Sequence, residues 1–313
     1  MRIEYHRTLI ADKARNEALI AALKRVIVPG KTVVADIGAG SGLLGLMASR
    51  LGAKEVHLYE ASEEVAQVAA AVLKQNRARN CHLYPCRSTD MLDAPNVDVI
   101  ISETLGNYAL EENIIETLAD AVKRMLNPGG IVIPSKISQF AAPVIAPRLS
   151  QELDAWRDVG HGLDLEPART MSVNNVYVRL IEPDELLDGG QSSQMWDDID
   201  LTRPQKGSRR GEMVWTLERQ ATIYGFAYWW TAALGGNLEI STAPTAPRTH
   251  WEQLYFPLGA PITARKGQSV FLSLRSRSSE ETGTHLAWTA VHRDADGNSV
   301  ARQAMDLDKG WIF

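Results

Sequence analysis

A chain of 313 residues, 45% apolar and 23% charged, is long enough to bury a full core as one large domain or two medium ones. Its net charge of -5, with no basic stripe in any segment, sets nucleic acid aside as a partner and leaves a surface that tolerates a cationic ligand. Cys81 and Cys86 form neither a disulfide framework nor a metal-ligand pattern, and no leader-like or membrane-length apolar run occurs, so a metal-free, soluble, cytoplasmic protein without a membrane partner is expected.

Ala14, Ala18, Leu19, Ala22, Leu23 and Val26 recur at helical spacing and predict a one-sided helix over 11–27, broken at Pro29-Gly30. From Thr32 the pattern alternates. Strand 33–37 precedes a helix over 43–52 that Gly52 stops, and strand 55–60 precedes an alanine-rich helix over 61–77. Strands 81–85 and 97–103, helix 111–126, a turn at Asn127-Pro128-Gly129-Gly130 and strand 131–134 follow. Such alternation predicts a parallel, doubly wound sheet, a Rossmann-like α/β domain over 1–134. Beyond Pro134 the helical period fades, apart from a helical stretch at 149–159. Alternating segments at 216–230, 250–256, 269–277 and 284–293 predict an antiparallel β-barrel or sandwich over 135–313. Trp229 and Trp230 are expected in its core. Lys206, Arg209 and Arg210 are expected in a solvated turn.

Asp36-Ile37-Gly38-Ala39-Gly40-Ser41-Gly42 joins the first strand to a helix. Glycines let the backbone turn tightly and approach a ligand, and the helix N-terminus presents free N–H groups. A dinucleotide would prefer a wider glycine spacing, and an aspartate at the strand end would repel a pyrophosphate. S-adenosylmethionine has no phosphate; it carries a sulfonium and a zwitterionic amino-acid end, which a carboxylate suits. Glu60 closes the second strand, where such sites place an acid on the ribose hydroxyls. The sequence therefore points to an S-adenosylmethionine-dependent methyltransferase.

Glu103 ends the fourth strand, and Glu112 lies nine residues on. Two carboxylates facing one pocket repel and raise each other's pKa unless a cation sits between them. A guanidinium, with five donors in a planar fork, is such a cation. Acids near a helix N-terminus also commonly just cap it.

Four stretches together resemble the protein arginine methyltransferases: VVADIGAGSGLLGLMASRLGAKEVHLYEAS, SETLGNYALEE, PRTHWEQLYF with Thr249-His250-Trp251, and HRTLIADKAR with His6, Asp12 and Arg15. The resemblance spans nearly the whole chain and implies a class I methyltransferase domain followed by a β-barrel. It also implies a helical dimerisation arm at about 148–185 and a head-to-tail homodimer. It assigns His6, Arg15, Asp36, Gly38, Gly40 and Glu60 to the cofactor, with Arg15 on its carboxylate, Asp36 and Gly38 beneath its methionine part and Glu60 on its ribose. Thr89 or Asp90 is expected at the adenine. Glu103 and Glu112 are expected to clamp the guanidinium, Asp12 and His250 to pair between helix and barrel, and Trp251 and Tyr108 to line the acceptor side. The proton acceptor is Glu112 or the Asp12–His250 pair. Leu9 and Ile114 replace methionines usual in the family, and only five residues precede His6, so its aromatic lid is expected to be short or missing.

The acceptor is thus expected to be an arginine in a protein or peptide, or a small guanidine such as free arginine. A methyltransferase of the same architecture serving a non-guanidine natural product is the alternative. A non-catalytic cofactor-binding dimer is a further one, disfavoured because two buried carboxylates are costly to keep without a use.

Overall fold

The computed structural model describes residues 3–309. Helices α1 (Ile3–Ala11) and α2 (Lys13–Val26) open the chain and meet at Asp12, whose side chain accepts the Arg15 N–H at 2.9 Å and caps α2. The alternating half then runs β1 (Val33–Ile37), α3 (Leu43–Arg50), β2 (Glu55–Tyr59), α4 (Glu63–Gln75), β3 (Cys81–Tyr84), β4 (Val97–Ser102), α5 (Ile114–Arg124) and β5 (Leu126–Ile133). These strands form a parallel sheet in the order β3-β2-β1-β4-β5. β1 and β4 are near-continuous apolar runs because both faces of the sheet centre are covered. The strand order reverses between β1 and β4, so a crevice opens beyond their C-terminal ends.

Residues 111–126 are not helical throughout. Helix α5 begins at Ile114, and Asn113 before it is left-handed at φ 61°, which leaves Glu111 and Glu112 in the preceding loop.

The second half comprises β6 (Lys136–Val144), α6 (Pro147–Asp154), α7 (Glu166–Val173), β7 (Tyr177–Arg179), β8 (Gln194–Asp200), β9 (Ser208–Thr216), β10 (Ala221–Gly235), β11 (Leu238–Ser241), β12 (Gln253–Ala264), β13 (Ser269–Ser279), β14 (Gly283–Arg293) and β15 (Ser299–Asp306). One sheet has the order β7-β12-β10-β6-β8, with β11 beside β10; the other has β15-β14-β13-β9. Aromatic side chains join the two, Phe226 with Trp215 at 5.6 Å between ring centroids and Phe256 with Trp288 at 5.1 Å. Trp229 and Trp230 are both buried, the former in a smaller cluster with Leu149, Leu153 and Val173 of α6 and α7.

Arg209 and Arg210 lie in strand β9 and not in a turn. Ser-Arg-Arg-Gly has no apolar alternation to announce a strand; its pairing with β13, from Ser208↔Arg277 to Thr216↔Ser269, holds it extended. Arg209 Nε bonds Asp197 of β8 at 2.8 Å.

Helix α3 packs on the sheet through Gly45, where an added methyl would stand 2.5 Å from Leu58 Cδ2 and 3.1 Å from Asp36 Oδ2. Gly45→Ala is therefore expected to destabilise the fold by about 1–3 kcal/mol, despite alanine's better helix propensity. Chemical denaturation measures this; unchanged or raised stability would mean that α3 shifts freely.

Candidate active site

The crevice holds a cavity of about 420 Å³, within the range of about 300–1,000 Å³ typical of small-molecule sites. A second chamber of about 270 Å³ adjoins it and shares Leu9, Glu103, Glu111 and Glu112; its far wall is Tyr5, His250 and Trp251.

The glycine loop forms the floor of the larger cavity. Gly38, Gly40 and Gly42 have φ of 74°, 55° and 83°, a region costly for other residues. The N–H groups of Gly38 and Ala39 donate to the Tyr59 carbonyl at 3.0 and 2.9 Å, folding the loop across the end of β2. A side chain at Gly40 would strike the His6 ring at 2.7 Å. His6 thus covers the loop from above, and burial lowers its pKa, which favours the neutral ring.

Glu60 accepts from Gly40 N and Ser62 N, both at 2.8 Å. A carboxylate has about four acceptor positions, so capacity remains for hydroxyl groups in the cavity. Asp36 is fully buried, accepts from Gly45 N at 2.7 Å, and has its pKa raised to about 7 by burial. Its carboxyl ties the loop to α3, while the cavity wall begins at Ile37 and Gly38.

Asp12 does more than cap α2. Its second oxygen accepts from the His250 backbone N–H at 2.7 Å and lies 2.8 Å from His250 Nδ1. Burial alone would raise its pKa; the hydrogen bonds from His250 and Arg15 outweigh it and bring the carboxyl below its ordinary value. His250 in turn lies 4.0 Å from the Trp251 ring, and Trp251 Nε1 donates to Leu105 O at 2.8 Å.

Arg15 sits one turn along α2. Its Nε donates to Glu103 Oε2 at 2.6 Å, Nη2 contacts the same oxygen, and Nη1 donates to Asn16 Oδ1 at 2.6 Å. Two of the five guanidinium N–H groups remain beyond these bonds. Burial pushes the Glu103 pKa up, and Arg15 opposes it. Glu112 keeps contact with solvent at the cavity edge. Desolvation, then the Glu103 charge, push its pKa up to about 7.

The structure thus brings His6, Arg15, Gly38, Gly40, Glu60, Thr89, Glu103 and Glu112 to one cavity, with His250 and Trp251 at the adjoining chamber. Two expectations need correction. Tyr108 is fully buried and donates to Ser276 Oγ at 2.5 Å, so it anchors the loop to the barrel and offers nothing to an acceptor. Asp90 is exposed at the end of a short turn, outside the cavity wall, whereas Cys86, Arg87 and Ser88 line it beside Thr89. The sequence reading also missed Ser279, Glu280 and Gly283, at the tip of the β13–β14 hairpin, which complete the wall. Nothing local marks them, because their role arises from contacts across the fold: Glu280 pairs with Arg87, and Thr284 Oγ1 donates to Leu110 O at 3.4 Å.

Residues 17–158 match the family model described as ribosomal protein L11 methyltransferase, and residues 136–291 match the arginine methyltransferase oligomerization subdomain. The chain is 28% identical over 296 residues to protein arginine N-methyltransferase 6 of Xenopus tropicalis, covering 91% of this chain and 86% of that one. It is 27% identical over 277 residues to arginine N(omega)-methyltransferase of Streptomyces achromogenes subsp. streptozoticus, covering 86% and 75%. In fold it resembles the Trypanosoma brucei PRMT1 enzyme-prozyme heterotetrameric complex with AdoHcy, with a TM-score of 0.87 at 20% identity over 97% of this chain and 98% of that one.

A carboxyl with a pKa of about 7 is mostly protonated at pH 6 and mostly ionised at pH 8. Since a cation binds the ionised form, methylguanidine affinity is expected to rise about tenfold between those values, and to stay flat in Glu112→Gln. Calorimetry across that range tests it; an equal slope in the variant would assign the titration elsewhere.

Proposed function

We infer that this chain, a member of the protein arginine N-methyltransferase family, transfers a methyl group from S-adenosylmethionine to a guanidinium nitrogen of an arginine acceptor. The observation that carries the reading is the convergence of Glu103 and Glu112 on the chamber that opens onto the glycine-loop cavity. The residues present fit the cofactor. Glu60 has spare acceptor capacity for ribose hydroxyls, and Arg15 has free donors for a carboxylate. The positive-φ glycines leave room for close approach. When bound, S-adenosylmethionine supplies an electrophilic methyl carbon on a sulfonium.

The work of the chain is then to place and polarise the acceptor. A guanidinium is a poor nucleophile because its lone pairs are delocalised and it stays protonated. Glu103, fixed by Arg15, and Glu112 draw positive charge toward the nitrogens they hold and leave more electron density on the third. Each charge-assisted bond contributes about 1.5–3 kcal/mol. Holding the acceptor in line with the methyl supplies further acceleration as prepaid orientation. Glu112, with its pKa raised, takes the released proton at its carboxylate, in contact with solvent.

A methyl-transfer assay with free arginine, an arginine-rich peptide and a lysine-rich control tests this. Glu103→Gln and Glu112→Gln are each expected to lower turnover by about two orders of magnitude or more, in line with loss of charge-assisted contacts, with cofactor affinity changed little in Glu112→Gln. Transfer to lysine, or to neither arginine acceptor, would overturn the guanidinium reading and favour a non-guanidine acceptor.

We also propose a head-to-tail homodimer in which the arm of each copy packs on the nucleotide domain of the other. Supporting this, Trp156, Val159 and Leu163 between α6 and α7 and Met171 on α7 are exposed, an apolar surface that water disfavours. The arm is braced by Arg157–Glu166 at 2.8 Å and Arg169–Asp154 at 2.9 Å. Trp156→Ala combined with Leu163→Ala is expected to shift the molecular mass in light scattering from dimer to monomer. An unchanged dimer would place the interface elsewhere.

A further inference from the structure

The loop between β4 and α5 carries three carboxylates toward the chamber, and the charges there do not balance. Glu103 is offset by Arg15. His250, the other group among the described residues able to carry positive charge at the chamber wall, is committed to Asp12. Glu112 is the carboxylate available to a guanidinium. Glu111 is then in excess.

Glu111 is solvent-exposed yet held against its own loop. It lines both the cofactor cavity and the acceptor chamber. Its carboxylate lies directly over Gly106, where a side chain would collide with it, and the nearby backbone N–H groups of Tyr108 and Asn107 favour its charged form. These contacts fix a negative charge beside the place where the acceptor enters. Burial raises the pKa of Glu111, and its charge helps to raise that of Glu112. An acceptor bearing only a guanidinium therefore leaves one carboxylate of the chamber uncompensated, which is costly in a partly desolvated site.

We propose that Glu111 is a specificity-determining residue that makes the acceptor chamber prefer guanidines carrying a second positive charge and disfavour those carrying a carboxylate near it. The inference rests on the guanidinium reading above and goes beyond it by naming the charge pattern of the substrate. A guanidine in a basic peptide or a guanidine with a terminal ammonium satisfies it; free arginine, whose ammonium is accompanied by a carboxylate, satisfies it less well.

Two probes isolate the second charge: 4-aminobutylguanidine and its N-acetyl derivative, which differ in the distal ammonium. Both are titrated by calorimetry into the full-length protein saturated with S-adenosylhomocysteine, and both are assayed for methyl transfer. Glu111→Gln keeps an oxygen for the Asn107 and Tyr108 N–H groups and removes the charge. The wild type is expected to bind the dication about tenfold more tightly, the scale of one unit-charge contact near a protein surface, and 0.5 M salt should shrink the ratio. In Glu111→Gln the ratio should fall toward one, through weaker binding of the dication, with the melting temperature unchanged. An equal ratio in both proteins overturns the proposal. So does an equal loss for both probes with a lowered melting temperature, which would make Glu111 a loop support only. Binding of S-adenosylhomocysteine with no methyl transfer to either probe would overturn the guanidinium reading, and the inference with it.

Discussion

Asp12 is the junction on which the site depends. One carboxylate caps α2, and through that cap fixes the start of the helix that carries Arg15. The same carboxylate holds the backbone and ring of His250, and so secures the barrel loop that bears Trp251. Arg15 then orients Glu103. A single buried side chain thus links the N-terminal helices, the barrel and the catalytic loop. Its pKa is lowered because every contact favours the ionised form, so the linkage persists across neutral pH and weakens only as the solution becomes acidic enough to protonate it.

The second organising constraint is electrostatic. Asp36, Glu103, Glu111 and Glu112 all lose solvation, and each has a raised pKa. Their compensation differs in kind. Asp36 has a helix N–H, Glu103 has a guanidinium, Glu111 lies against the amides of its own loop, and Glu112 makes no ion pair among the described residues. That gradient separates scaffold from chemistry: the least compensated carboxylate is the one placed to meet a charged ligand.

Much of this was legible in the sequence. Strand alternation revealed the parallel sheet, because a β1 or β4 covered on both faces must be largely apolar. The glycine spacing with Asp36 and Glu60 pointed to the loop that floors the larger cavity, because close approach of a backbone to a ligand demands glycine there. The nine-residue separation of Glu103 and Glu112 pointed to two carboxylates facing one space, and both line the smaller chamber. What the sequence hid was side-chain direction and distant pairing. Tyr108 sits in the right loop, but its ring packs 5.3 Å from Tyr228 and its hydroxyl reaches Ser276. Strand β9 begins polar and is held by β13. Asp90 has the chemistry of an adenine ligand, yet the short turn carries it away while Ser88 faces inward. Such outcomes depend on packing partners far along the chain, which no local pattern encodes.

The β13–β14 hairpin has a consequence for how the molecule comes into being. Its tip supplies part of the wall of a cavity whose floor is built from residues 36–60. During synthesis the nucleotide-binding half emerges first and has its own sheet, yet the cavity stays open on one side until residues 279–283 have been made and docked. Full affinity for the cofactor is therefore acquired late, once nearly the whole chain is available. A nascent or truncated chain would expose the glycine loop to solvent without holding the cofactor well, and binding itself would report that the two halves had assembled.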